Sequence, residues 1–195
     1  APGQAGRPFD QAASGIVPGE GAGFLMLGTP EQTEGAEPRL LGHLAGFGTA
    51  FEPTAAHPGV PAGVDAAVMA GRAAIDEAGV EPELVVLTGW SYAPMDELEA
   101  QAHAALLGDR AADVPVIALS PFVGSTEAAS GPLGAAVALR AMDAGKVPGM
   151  PNLAEPIPSW TGPRAQATID HAASSALVLS FSMEGSHAAV MLTAP

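Results

Sequence analysis

Apolar and polar positions alternate along the chain in segments whose period predicts most of its elements. In residues 62–78, Val64, Val68, Gly71 and Ile75 recur at helical spacing while Asp65 and Arg72 lie off that stripe, and Gly79 follows where a left-handed cap belongs. That spacing predicts a helix. Residues 83–87 (ELVVL) form a short apolar run suited to a buried strand. After a turn at 88–94, Asp96 is placed to cap a helix carrying Leu98, Ala102 and Leu106, which Gly108 closes. Residues 114–119 read as the next strand, and residues 131–144 (GPLGAAVALRAMDA) are apolar nearly all round, as in a helix buried between other elements.

The ends of the chain are less periodic. Residues 15–27 (GIVPGEGAGFLML) predict a glycine-rich turn feeding a buried strand. Residues 29–39 are polar and proline-containing and predict an exposed connection, and residues 40–51 predict a further strand whose three glycines allow bends or close backbone approach. The proline-rich stretch 147–163 predicts irregular surface chain. Residues 176–182 and 187–192 predict two strands that pair as a hairpin. Helix and strand alternate through the middle, which predicts an α/β layered fold with a mixed sheet and at least one buried helix.

Composition narrows the partners. Apolar residues make up 48% of the 195 residues and mean hydropathy is +0.26, so the chain folds around a core, one poor in aromatics at 5%. Seven Lys and Arg against 21 Asp and Glu give a net charge of −14, which opposes binding to nucleic acid or to anionic membrane surfaces. With no cysteine there is no disulfide, zinc-thiolate site or cysteine nucleophile on this chain. No stretch is long and apolar enough to span a membrane, and a cytoplasmic location is expected. The first residue is Ala1, which is expected of a processed product or of part of a longer polypeptide.

Several residues could carry chemistry. Gly19-Glu20-Gly21-Ala22-Gly23 has the look of a phosphate-cradling loop, but its glycines precede a strand and no Lys-Ser/Thr follows, so a tight turn is the simpler reading. Gly89-Trp90-Ser91-Tyr92-Ala93 lies between a strand and a helix, where a hydrolase nucleophile elbow would sit. Asp170 and His187 follow in triad order, which makes a serine hydrolase using Ser91 the alternative enzyme reading, although Ala93 replaces the second glycine. His43, His57, His103, His171 and His187 never pair at the spacing of a helical metal site, and no metal is expected. Asp96, Glu97 and Glu99 read as charges favoured at the positive end of a helix.

Five landmarks occur in order along nearly the whole chain: Arg7-Pro8-Phe9-Asp10, Gly19-Glu20-Gly21-Ala22-Gly23, residues 96–102 (DELEAQA), Gly131-Pro132-Leu133-Gly134 and residues 180–187 (SFSMEGSH). Together they resemble the C-terminal half of β-ketoacyl synthases. That resemblance implies a thiolase-like layered α-β-α-β-α sandwich, with residues 1–39 ending the first half and 40–195 forming the second.

Active members of the family carry a His-Gly-Thr-Ser loop after one strand, and a lysine and a second histidine in a later loop. By the resemblance those three positions fall on Thr88, Ser120 and Ser125, so no catalytic residue is expected in this chain. Backbone landmarks kept while polar catalytic groups are lost resemble the chain-length factor, the non-catalytic partner in type II polyketide synthases. The resemblance implies a heterodimer with a catalytic ketosynthase, the N-terminal half of the same subunit, and work on acyl carrier protein thioesters, with no cofactor. It implies that Met183, with Phe181 and Phe122, lies near the product tunnel or vestigial pocket. A purely structural scaffold subunit is a further alternative.

Overall fold

In the computed structural model, the structure describes residues 6–34, 40–53 and 60–195. A five-stranded mixed sheet organises them. In chain order its strands are β1 (His43–Phe51), β2 (Leu84–Leu87), β3 (Val116–Ala118), β6 (Ser175–Phe181) and β7 (Ser186–Thr193), and their order across the sheet is β1-β7-β6-β2-β3. β2 is parallel to both β3 and β6, while β7 runs antiparallel to β6 and to β1. β4 (Lys146–Val147) and β5 (Ile169–Asp170) form a separate two-stranded sheet that brackets the irregular proline-rich stretch.

Helices α2 (Asp65–Ala78) and α3 (Ala93–Leu107) cover one face of the large sheet, and α5 (Ser130–Ala144) lies on the other. Strand side chains alternate between the two. Val85, Leu87, Leu177 and Leu179 join the α2/α3 side, whereas Leu84, Val86, Ala176 and Val178 join the α5 side. Apolar residues on both faces are what a central parallel strand requires, and explain why ELVVL carries no polar alternation.

Glycines in β1 set how near α2 can lie. A Cβ on Gly46 would collide with the carbonyl oxygen of Ala74, and one on Gly48 with that of Ala70. Close approach is therefore the reason for the glycine spacing in β1. The predicted cap at Gly79 is present in the left-handed conformation, and the hairpin of β6 and β7 forms as its pattern predicts.

Three expectations change. Residues 22–28 form no strand, and Phe24 and Met26 are 94% and 92% exposed, because no other described strand lies alongside to pair with them. The connection expected at 29–39 is described only to Glu34, where it includes the short helix α1 (Pro30–Thr33); the remainder lies outside the described residues. Helix α5 is buried on one side only. Gly134, Ala135, Ala138 and Ala141 face the sheet, while Leu133, Ala136 and Val137 border an open concavity of about 340 Å³ with Arg140, Lys146 and Pro148.

Candidate active site and its relatives

Loops leaving β2, β3 and β6 meet at one edge of the sheet, because those three strands are parallel and end on the same side. Strand ends of this kind are where α/β sheets place ligands. The loop after β2 carries Thr88 and Ser91. After β3 comes the short helix α4 (Ser120–Val123), followed by Ser125.

All four hydroxyl residues are buried. The Ser120 amide donates to the Thr88 carbonyl at 3.1 Å, and the Ser91 and Ser120 hydroxyl oxygens are 3.5 Å apart. The Ser125 hydroxyl has no partner. The N-terminal segment roofs this cluster: the Gly15 amide donates to the Ser91 carbonyl at 2.9 Å, and the Ser125 amide donates to the Val17 carbonyl at 2.8 Å. A Cβ on Gly6 would stand 2.8 Å from the Ser91 Oγ and 3.0 Å from the Ser120 Oγ, so the roof lies close enough that a side chain there would displace these hydroxyls. The site thus offers neutral hydroxyls, which donate and accept hydrogen bonds but do not exchange protons near neutral pH.

Charge enters from beneath. Asp96 and Glu99, one turn apart on α3, are 1% and 0% exposed, and their carboxylates accept backbone N–H groups from the loop above. Asp96 Oδ1 accepts from Trp90 at 2.9 Å and Ser91 at 3.1 Å, while its Oδ2 accepts from Phe9 at 3.2 Å. Glu99 accepts from Thr88 at 3.2 Å and Gly89 at 2.8 Å. Ser91 adopts a left-handed φ of 59°, a conformation that its amide's bond to Asp96 helps to hold.

The expectation for these carboxylates is therefore corrected. Helix α3 begins at Ala93 with Tyr92 as its N-cap, so Asp96 already lies within the helix and turns back to bind the loop; Glu99 likewise faces inward. Only Glu97 behaves as an outward-facing charge, accepting from Ser159 at 2.6 Å and Gln101 at 2.8 Å. The missed signal was phase. Asp96, Glu99, His103 and Leu106 recur at helical spacing and form the buried stripe, which Leu98, at another phase, does not share.

Burial raises the Asp96 carboxyl to about 7, against the lowering effect of its three amide donors. Burial, and secondarily the neighbouring Asp96, raise Glu99 to about 8. Burial lowers His103 to about 4, so it is a neutral imidazole; both its nitrogens lack partners, and its ring stacks on Trp160. Trp160 also stacks on Phe9 with ring centroids 4.2 Å apart.

The residues expected near a tunnel separate. Phe181 is buried and meets the His187 ring edge-on at 5.2 Å, and Met183 is half-buried in the turn after β6. Beside that turn an open groove of about 560 Å³ is lined by Thr49, Phe51, Ser180, Ser182, Ser186 and His187. Phe122 is 54% exposed on α4. The hydrolase triad is not assembled. The Ser91 hydroxyl faces Ser120, Asp170 is ion-paired with Lys146 on the small sheet, and neither nitrogen of His187 has a partner. Among the described residues no three His, Asp or Glu side chains could together hold a metal ion, and no helix is long and apolar enough to cross a membrane.

Residues 41–154, more than half of the chain, match the family described as β-ketoacyl synthase, C-terminal domain. The chain belongs to the β-ketoacyl synthase family. It is 35% identical over 153 residues to the actinorhodin polyketide putative β-ketoacyl synthase 2 of Streptomyces coelicolor, covering 75% of this chain and 35% of that one. It is also 35% identical over 141 residues to the tetracenomycin polyketide synthase ketoacyl synthase beta subunit of Streptomyces glaucescens, covering 68% and 32%.

Among solved structures, the ishigamide ketosynthase/chain length factor superposes with a TM-score of 0.84 at 28% identity, over all of this chain and 48% of that one. A type II polyketide acyl carrier protein in complex with its ketosynthase, AntDE:AntF, includes a chain with a TM-score of 0.89 at 23% identity, over 98% and 48%. The fold is thiolase-like, as the resemblance implied. The chain spans about a third of the length of these two curated relatives.

Proposed function

We propose that this chain serves as the C-terminal half of a chain-length-factor-like subunit in a type II polyketide ketosynthase, supporting condensation without performing it. In this reading residues 1–39 finish the first half of the subunit and residues 40–195 form the second. The observation that carries it is the buried hydroxyl set at the strand ends, Thr88, Ser120 and Ser125, at the positions where the family resemblance expects two imidazoles and an ammonium.

Decarboxylative Claisen condensation builds an enolate and then a tetrahedral oxyanion, and both need strong donors or a group that changes protonation near neutral pH. Hydroxyls supply neither a positive charge nor a proton at that pH. Asp96 and Glu99 titrate closer to neutrality, but their oxygens are committed to backbone amides and, for Glu99, to the Thr88 hydroxyl as well. The nucleophilic cysteine and the histidines would come from a ketosynthase partner acting on malonyl groups carried by an acyl carrier protein.

The uncovered side of the sheet supports the same reading. Phe47 and Phe51 on β1, the outer side of α5, and Phe24, Met26 and Leu27 all present apolar surface to solvent. Exposed apolar area of this kind marks an interaction surface. The first half of the subunit is the occupant the relatives' length implies. In this reading Met183 in the β6–β7 turn, with Phe181 packed in the core behind it, sets the length of chain that fits.

The test is turnover of malonyl and acyl carrier protein thioesters by the chain with its co-purifying partners, and by this chain alone. The reading expects a cysteine-bearing ketosynthase among the partners and no product from this chain alone. Condensation by this chain alone that is lost in Thr88→Ala or Ser125→Ala overturns it. Unchanged product lengths on enlarging Met183 to Trp would reduce the role to that of a scaffold.

A further inference from the structure

We propose that Asp96 and Glu99 are positioning residues forming a proton-sensitive clasp, which holds the 88–91 loop and the Phe9 segment closed while the pair retains a proton and releases them when it is lost. The inference goes beyond the proposed function and does not depend on it.

The clasp joins three stretches distant in sequence. Five backbone N–H groups, from Phe9, Thr88, Gly89, Trp90 and Ser91, converge on two carboxylates on adjacent turns of α3. These amides account for the strained turn at Ser91 and for the position of Phe9, whose ring is sealed against Trp160. Opening the clasp therefore moves the loop that carries Thr88 and Ser91, together with part of its roof.

Among the described residues no cation is bonded to the pair. From α3 itself, Glu97 is turned to Ser159 and Gln101, and His103 is neutral. The 88–91 loop carries no ionisable side chain. From the N-terminal segment, Asp10 is held by the Ala12, Ala154 and Glu155 amides, with Arg7 acting on it. From α2, Arg72 donates to the Leu106 carbonyl and pairs with Glu81. Glu155 and Arg164 lie on the segment around Trp160, and neither is bonded to the pair. Two full negative charges a helical turn apart would then be opposed only by amide dipoles and the Thr88 hydroxyl, at positions buried from solvent.

Linkage fixes the direction. With the loop closed, the two groups titrate near 7 and 8; exposed to water they return toward 3.8 and 4.5. The closed form binds more protons, so opening is suppressed at low pH and becomes easier as pH rises through neutrality. For each proton lost, the opening equilibrium grows by up to about tenfold per pH unit. The Thr88 hydroxyl also donates to the Glu99 carboxylate, a contact that favours the charged form but does not outweigh burial.

Hydrogen exchange read by mass spectrometry, on the protein with whatever chains accompany it, tests the clasp. Labelling times are scaled at each pH to the intrinsic exchange rate. Peptides containing Phe9 and residues 88–91 are expected to lose about tenfold or more in protection between pH 6.5 and pH 9, while a peptide from β7 does not. Glu99→Gln, which keeps the shape of the group without its charge, is expected to abolish most of that loss. Equal scaled protection of the loop at both pH values overturns the proposal, and so does a folded Glu99→Gln protein that opens with the same pH profile as the wild type. The wild-type comparison decides the matter even where the variant does not fold.

Discussion

The two faces of the sheet are built to different standards of completeness. On one, α2 and α3 cover the strands, glycines in β1 let α2 lie against the backbone, and Phe9, Trp160 and His103 stack into a sealed layer. On the other, α5 covers β2 and β6 but leaves Phe47 and Phe51 of β1 58% and 65% exposed. One face is closed by this chain's own residues. The other leaves large apolar side chains of β1 open to solvent.

That contrast is sharpest in stability. Met191 of β7 is completely buried beneath α2, so Met191→Ala is expected to lower unfolding free energy by about 2–5 kcal/mol, read by urea denaturation. A loss under about 1 kcal/mol would mean that the closed face is not a packed core. Overpacking comes next. Gly48→Val places a branched side chain against the Ala70 carbonyl and is expected to destabilise by about 1–3 kcal/mol, whereas Gly131→Ala, with open space around its Cβ, is tolerated.

The buried carboxylates give the closed face a pH dependence that the open face lacks. Both are raised above their unfolded values of 3.8 and 4.5, so their contribution is complete at low pH and is lost as pH rises through about 7 and 8. Global stability is therefore expected to decline between pH 5 and pH 8, by up to about 1.4 kcal/mol per pH unit for each proton involved. A thermal melting series across that range checks the sign. Stability that rises toward pH 8 would show that amide donation outweighs burial in this dyad.

The smallest effect belongs to the open face. Phe47→Ser and Phe51→Ser are expected to change the stability of this chain by no more than about 0.5 kcal/mol in the same denaturation measurement. If the proposed first half of the subunit covers this face, the same changes are expected to weaken its association at least tenfold, read by titration calorimetry. Equal affinity would remove this face from the interface.

Where local pattern alone decides structure, the residues were legible. Helix α2 with its Gly79 cap, strand β2 and the β6–β7 hairpin follow from 3.6-residue spacing, from a short apolar run and from a glycine turn between two runs. The hydroxyls of Thr88, Ser120 and Ser125 were legible too, since they are simply the residues present. Asp96 and Glu99 were misread because an acidic residue in a first helical turn is usually solvated, and only the phase of α3 against the sheet reveals that these two face inward.

By itself the amino-acid sequence determined helix α2, strand β2 and the β6–β7 hairpin, the hydroxyl character of the strand-end site and the strongly acidic balance, because each depends on residue identity and near-neighbour spacing. Tertiary structure decided the rest. Whether GFLML pairs as a strand depends on finding a neighbouring edge, whether α5 is covered once or twice depends on what packs above it, and whether a carboxylate holds its proton depends on the water excluded around it. Those are properties of surroundings assembled from distant parts of the chain, and no local spacing encodes them.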